Sequence, residues 1–241
     1  RMIPADIART IDHTILKPQP TAADVRRIVQ EAITHRFASV CVNGRWAGLV
    51  RELLSEAGVD DPGKTDRPVL TCAVVGFPLG ANRSTIKAIE ASSCAKDGAQ
   101  EIDMVISLAA LLTGDLEDAR NDVYEVVRAA KAVNRNTVVK VILETAALTE
   151  EQTALGCRAA VEGGADFVKT STGFHPKGGA TVESVGWLKN YGGGAGLKVT
   201  ASGGIRDYAT ARQMLDAGAD RLGCSSGVAI LSGAAAAPGT Y

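Results

Sequence analysis

The feature that most limits how this chain can fold is an alternation. Short runs rich in Val, Ile and Cys are separated by longer amphipathic stretches, eight times over 241 residues. Strands joined by helices run parallel, because a helical crossover returns the chain to the same end of the sheet. The runs place strands near residues 10–16, 37–42, 68–75, 101–106, 138–143, 166–171, 197–202 and 221–225, with helices in the gaps. In TAADVRRIVQEAITH, Thr21 stands as an N-cap, and Val25, Ile28, Val29 and Ala32 fall on one helical face. The fragments DGAQEIDMV, GGADFVKTS and AGADRLGCS each set Gly-Ala just before a strand. Gly98, Gly164 and Gly218 are therefore expected as left-handed helix caps, a conformation in which a Cβ is costly. Such units either close into an eightfold (β/α) TIM barrel or lie open as a doubly wound α/β sheet. The length, close to the roughly 250 residues of a complete barrel, favours the barrel, as a single domain over residues 1–241 with a mobile tail at 232–241.

Composition excludes several function classes. Lys and Arg total 26 against 27 Asp and Glu, leaving a formal charge of −1. That balance gives no support to a nucleic-acid or anionic-membrane surface, so a small molecule is the expected partner. No apolar run approaches the ~20 residues of a membrane span. Five scattered cysteines, without a C-x-x-C pair or a His cluster, read as reduced thiols of a cytoplasmic protein, with no metal expected. GVDDPGKT at 58–65 fits the P-loop expression, yet it follows a helix and enters a strand, and Pro62 removes a backbone donor. No G-x-G-x-x-G follows a strand either, so no nucleotide cofactor is expected.

Parallel strands covered on both faces should be apolar throughout. Several here are not: EIDMVI carries Asp103, VVKVILE carries Lys140 and Glu144, DFVKTS carries Lys169, and GLKVTAS carries Lys198. An unpaired buried ion costs several kcal/mol by the usual estimate of about that size. These groups must then pair with one another or line a wet pocket. One alternative is a structural ion-pair network, the other a catalytic pocket. A pocket lysine near other cations is disfavoured in its charged form, so its pKa is expected to fall, leaving an amine able to attack a carbonyl.

From IDHTILKP through VVGFPLGAN, DGAQEIDMVI, VKVILET and FVKTSTGF to ASGGIRD and SSGVAIL, the chain resembles the deoxyribose-phosphate aldolases over nearly its whole length. The resemblance implies a barrel that cleaves 2-deoxy-D-ribose 5-phosphate to acetaldehyde and D-glyceraldehyde 3-phosphate, in deoxyribonucleotide catabolism, without metal or cofactor. It implies that Lys169 is the Schiff-base lysine and Asp103 the proton-transfer carboxylate, with Asp12 and Cys41 at the pocket orienting substrate. Barrels commonly bind phosphate after their seventh and eighth strands, which here selects Gly203, Gly204, Ser225 and Ser226, with Gly173 as a further backbone donor. A phosphosugar is the expected ligand, and a homodimer is left open.

The chain departs from the pattern at one position that matters. The family usually carries a second lysine in Lys-Ala-Ser-Gly-Gly, and here that residue is Thr200. Lys198 lies two residues earlier on the same strand face, about 6–7 Å away, and is the candidate substitute; Lys140 could supply part of the charge. Three outcomes stay open: an active natural variant, a weakened or engineered aldolase, or a relative with different chemistry, either an inactive phosphosugar-binding barrel or an aldolase for a different aldehyde. Gly44 and Ser107 are smaller departures, for Pro and Asn. Phe174, His175 and Lys177 form the loop after the lysine strand, His13 and His35 read as strand-end and helix-end residues, and Tyr241 could fold back onto the site.

Overall fold

In the computed structural model, which describes residues 4–233, all eight apolar runs are strands. They are β1 (Ile11–Ile15), β2 (Ser39–Asn43), β3 (Leu70–Val75), β4 (Glu101–Val105), β5 (Val138–Ile142), β6 (Phe167–Lys169), β7 (Lys198–Ser202) and β8 (Arg221–Cys224). Each pairs in parallel with its successor, and β8 pairs back onto β1 through Asp12 and Gly223. Closure decides against the open sheet. It also leaves no strand edge unpaired.

Ten helices wrap the barrel among the described residues. They are α1 (Pro4–Ala8), α2 (Ala22–His35), α3 (Ala47–Glu56), α4 (Ser84–Lys96), α5 (Leu108–Thr113), α6 (Leu116–Val133), α7 (Glu150–Glu162), α8 (Val182–Tyr191), α9 (Tyr208–Asp216) and α10 (Gly227–Ser232). Thr21 caps α2 in a capping box with Asp24, and Val25, Ile28, Val29 and Ala32 are its buried face. Each larger aliphatic side chain on such a face contributes roughly 1.5–3 kcal/mol. Gly98, Gly164 and Gly218 take positive φ of 101°, 81° and 110°, as the Gly-Ala echo requires. The GVDDPGKT segment is a loop between α3 and β3 in which Lys64 pairs with Asp61, so it opens no helix.

The main apolar core fills the space between barrel and helices, where Ile102, Met104, Val139, Val141 and Val199 meet Val123, Val126 and Leu188. Leu16, Cys41, Cys72 and Val74 form a separate small cluster with Phe77 packed against it. Of the tail expected to be mobile, Ser232 closes α10 and Gly233 follows at φ 70°; residues 234–241, with Tyr241, lie outside the described residues. Among the described residues no helix is long and apolar enough to cross a membrane.

Candidate active site

Alternation along each strand sends every second side chain to the barrel interior, and there the charged residues meet. Lys140 on β5 is fully buried, and its ammonium donates to Glu101 Oε2 (2.5 Å), Asp103 Oδ1 (2.9 Å) and Cys72 Sγ (3.7 Å). Asp12 Oδ2 lies 3.5 Å from the same nitrogen. Arg221, at the start of β8, pairs with Asp12 Oδ1 and with Glu101 Oε2 at 3.0 Å, and Ser39 Oγ donates to Asp12 at 2.6 Å. One further cation completes the set: Lys169 Nζ donates to Asp103 Oδ2 at 2.6 Å. Three carboxylates thus face three cations, and of the two alternatives posed by the sequence the ion-pair network is present.

Electrostatics follow from this pairing. Burial opposes the charge on Asp103, but Lys140 and Lys169 outweigh it and hold the carboxyl well below the usual range. Asp12 is likewise held low, against burial, by Arg221 and Lys140. Burial also opposes the charge on Lys169, yet the Asp103 carboxylate at 2.6 Å prevails and raises the amine above an ordinary lysine. The expected fall in the Lys169 pKa is therefore corrected. Lys140, the cation nearest to it, spends its charge on three carboxylates and leaves Lys169 to gain from Asp103 more than it loses.

Lys169 is the last residue of β6, at the C-terminal end of the barrel, where the strand was expected to run on to 171. Backbone bonding runs one residue further, from the Thr170 N–H to the Thr200 carbonyl at 3.0 Å; there Thr170 Oγ1 also donates to the Ser202 carbonyl (3.1 Å), and Thr172 Oγ1 donates to Glu144 (2.5 Å). Gly223 on β8 accommodates Ser202, whose Cβ would stand 3.0 Å from an added Cβ there, while Lys169 Nζ would lie in ordinary contact at 3.5 Å. Thr200 is the register partner of Lys169; it is buried, and its hydroxyl has no hydrogen-bond partner among the described residues. Lys198 does not replace the missing lysine. It opens β7 at the opposite end of the strand, exposed to solvent, with its ammonium 5.7 Å from the Phe167 ring.

Lys140 needs a second correction. With its three protons directed at Glu101, Asp103 and Cys72, none remains for substrate, so its place is beneath Asp103 as a counter-charge. Asp12 sits in the same ionic layer, bonded to Ser39 and Arg221, and it ties β1 to β2 and β8. Cys41 is buried beside its register partner Cys72. Together with Asp103 these two thiols bring potential metal-ligand atoms within 4.8 Å of one another. That carboxylate is already shared by two ammonium groups, and burial drives the Cys72 thiol well above its ordinary value, so the donor set favours amine chemistry over a metal.

Two of the glycines chosen for phosphate, Gly173 and Gly203, meet between the segments that follow β6 and β7. Gly173, Gly203 and Gly204 take φ of 85°, 87° and 82°. Gly203 is packed so closely that an added Cβ would lie 2.8 Å from Gly179 Cα and 3.5 Å from Gly173 Cα. Ser225 and Ser226 follow β8, Ser226 buried just ahead of α10. Phe174 meets Phe77 edge-to-face at 5.3 Å, while Lys177 is exposed. His13 bonds Glu31 at 2.6 Å and, with His35, packs on Phe37, outside the site. Residues not selected from the sequence are Glu101, Cys72, Arg221, Gly179 and Gly223. Alternation back from Asp103 would have found Glu101; nothing local distinguishes the two glycines.

Known proteins resemble the chain in both sequence and fold. The model of the DeoC/LacD family aldolases matches residues 7–233. A deoxyribose-phosphate aldolase of Carboxydothermus hydrogenoformans is 49% identical over 227 residues, covering 94% of each chain. One from Thermococcus gammatolerans is 46% identical over 233 residues, covering 97% of this chain and 98% of its own. Among solved structures, a tetrameric deoxyribose phosphate aldolase from Aeropyrum pernix superposes with a TM-score of 0.84 at 34% identity, covering 95% of this chain and 91% of its own. An aldolase called QR15 gives 0.82 at 37% identity, covering 94% and 95%.

Proposed function

Because the chain belongs to the DeoC/LacD family of aldolases, we propose that it cleaves 2-deoxy-D-ribose 5-phosphate to acetaldehyde and D-glyceraldehyde 3-phosphate, as a lyase of deoxyribonucleotide catabolism. The observation that carries the assignment of roles is the buried Lys169–Asp103 pair, 2.6 Å apart at the C-terminal end of β6. Lys169 passes a proton to its surroundings, and the neutral amine attacks the sugar aldehyde carbon. The carbinolamine loses water and becomes an iminium. Asp103, directly or through water, takes the proton of the 3-hydroxyl as the C2–C3 bond breaks, and the bond's electrons move into the iminium to give an enamine. Glyceraldehyde 3-phosphate leaves; protonation of the enamine at C2 and hydrolysis release acetaldehyde and restore Lys169. Backbone N–H groups around Gly173, Gly203, Gly204, Ser225 and Ser226 receive the phosphate.

Thr200 favours a slow version of this reaction. A hydroxyl brings no charge, so the β7 residue level with Lys169 does not counter the pull of Asp103 on the Lys169 proton. The five cysteines, all free and buried, suit a reducing compartment such as the cytoplasm. Borohydride added during incubation with 2-deoxyribose 5-phosphate should leave a reduced adduct on the peptide containing Lys169. If folded protein with confirmed substrate gives no adduct, or an adduct on another lysine, the assignment fails.

A further inference from the structure

Glu144 is a buried acid that the proposed chemistry does not use. It lies just beyond β5, 2% exposed, and holds φ 58° and ψ 55°, a left-handed conformation unusual for a residue with a Cβ. Backbone held there needs compensation from its surroundings, and such residues gather at functional sites. Both carboxylate oxygens of Glu144 reach across to the loop after β6. Oε1 accepts from the Thr172 N–H at 3.1 Å, and Oε2 accepts from the Thr172 hydroxyl at 2.5 Å. The hydroxyl in turn accepts from the Phe174 N–H at 3.1 Å. The same two segments are also joined through the Leu143 N–H to the Lys169 carbonyl and the Thr145 N–H to the Thr170 carbonyl, each at 2.9 Å. Thr172 and Phe174 are thereby fixed on either side of Gly173, the residue whose Cα faces Gly203 across the mouth.

We propose that Glu144, relayed through the Thr172 hydroxyl, is a positioning residue that aims the Gly173 backbone N–H at the substrate phosphate. The proposal rests on the phosphate assignment made above and deepens it. An anion so near a phosphate would by itself weaken binding. The brace must therefore outweigh the repulsion, which is feasible because hydrogen bonds to a carboxylate are about twice as strong as neutral ones. Bracing and repulsion predict opposite signs.

The test compares kcat/KM for 2-deoxyribose 5-phosphate with that for unphosphorylated 2-deoxyribose in the unaltered enzyme and in Thr172→Val, Thr172→Ser and Glu144→Gln. Thr172→Val keeps the side chain's shape and Glu144's charge while removing the relay. It should lower the preference for the phosphorylated sugar about tenfold, as loss of one charge-assisted hydrogen bond implies, through KM and not through kcat. Thr172→Ser should restore it, and Glu144→Gln should fall between the two. An unchanged preference in Thr172→Val, an equal loss on both sugars, or a preference raised by Glu144→Gln would each overturn the positioning role. Absence of any preference in the unaltered enzyme would instead remove the phosphate site, and the brace with it.

Discussion

At the scale of single residues, what counts is where the charge on each lysine goes. Lys140, Lys169 and Lys198 all stand in strand sequences and all alternate toward the interior, yet one is a counter-charge, one the candidate nucleophile and one a solvated strand opening. In the proposed reaction turnover needs neutral Lys169, and Asp103 raises that amine above the ordinary lysine value, so kcat/KM should keep rising with pH above neutrality. A rate already level at pH 7 would contradict this. Thr200→Lys should bring a second cation beside Lys169, move the profile to lower pH and raise the neutral rate about tenfold, the gain from lowering the pKa by roughly one. Steady-state rates across pH for both proteins decide it. Lys140→Met should do the reverse of a gentle change: three buried carboxylates lose a shared partner, at a cost of about 3–5 kcal/mol, read from urea unfolding. Sequence marked these lysines as unusual for buried strands. The family resemblance singled out Lys169, but the parts of Lys140 and Lys198 were not legible, because they depend on stagger between neighbouring strands, by which Lys198 aligns with Phe167 and Thr200 with Lys169.

At the scale of elements, strands and helix caps were legible because their signals are local: apolar runs, the Thr21 box, and Gly-Ala ahead of β4, β6 and β8. The loops were legible only in composition. Gly203 could be picked as a phosphate donor, but its tight approach to Gly179 joins segments from two different strand-to-helix connections, and no spacing in the chain encodes that contact. Gly203→Ala should therefore cost more than an ordinary loop substitution. It places a Cβ 2.8 Å from Gly179 Cα at φ 87°, and stability should fall by about 1–3 kcal/mol, with KM for the phosphorylated sugar rising beyond that for deoxyribose. A melting temperature and both KM values unchanged from the parent would show that the two loops part freely.

At the scale of the whole molecule, the ionic cluster ties β1, β4, β5, β6 and β8 to one another across the barrel. Its effect on stability has a definite pH window. Asp12 and Asp103 are held below their ordinary 3.8, so their contribution is present above that value and lost as pH falls through the folded-state values. Lys140 and Lys169 are held above their ordinary 10.5, so theirs is present below it and lost as pH rises through the folded-state values. Unfolding midpoints in urea should accordingly vary little on the cluster's account between about pH 5 and 9, and a cluster-dependent drop inside that range, seen by comparison with Lys140→Met, would contradict this. The early end of β6 has a different import. With the strand ending at Lys169, protonation of the amine is governed from within the barrel, while the phosphate site proposed above lies on the loops beyond it. Such a division makes the molecule modular in evolution: the connections could be exchanged for others suited to a new aldehyde without retuning the nucleophile.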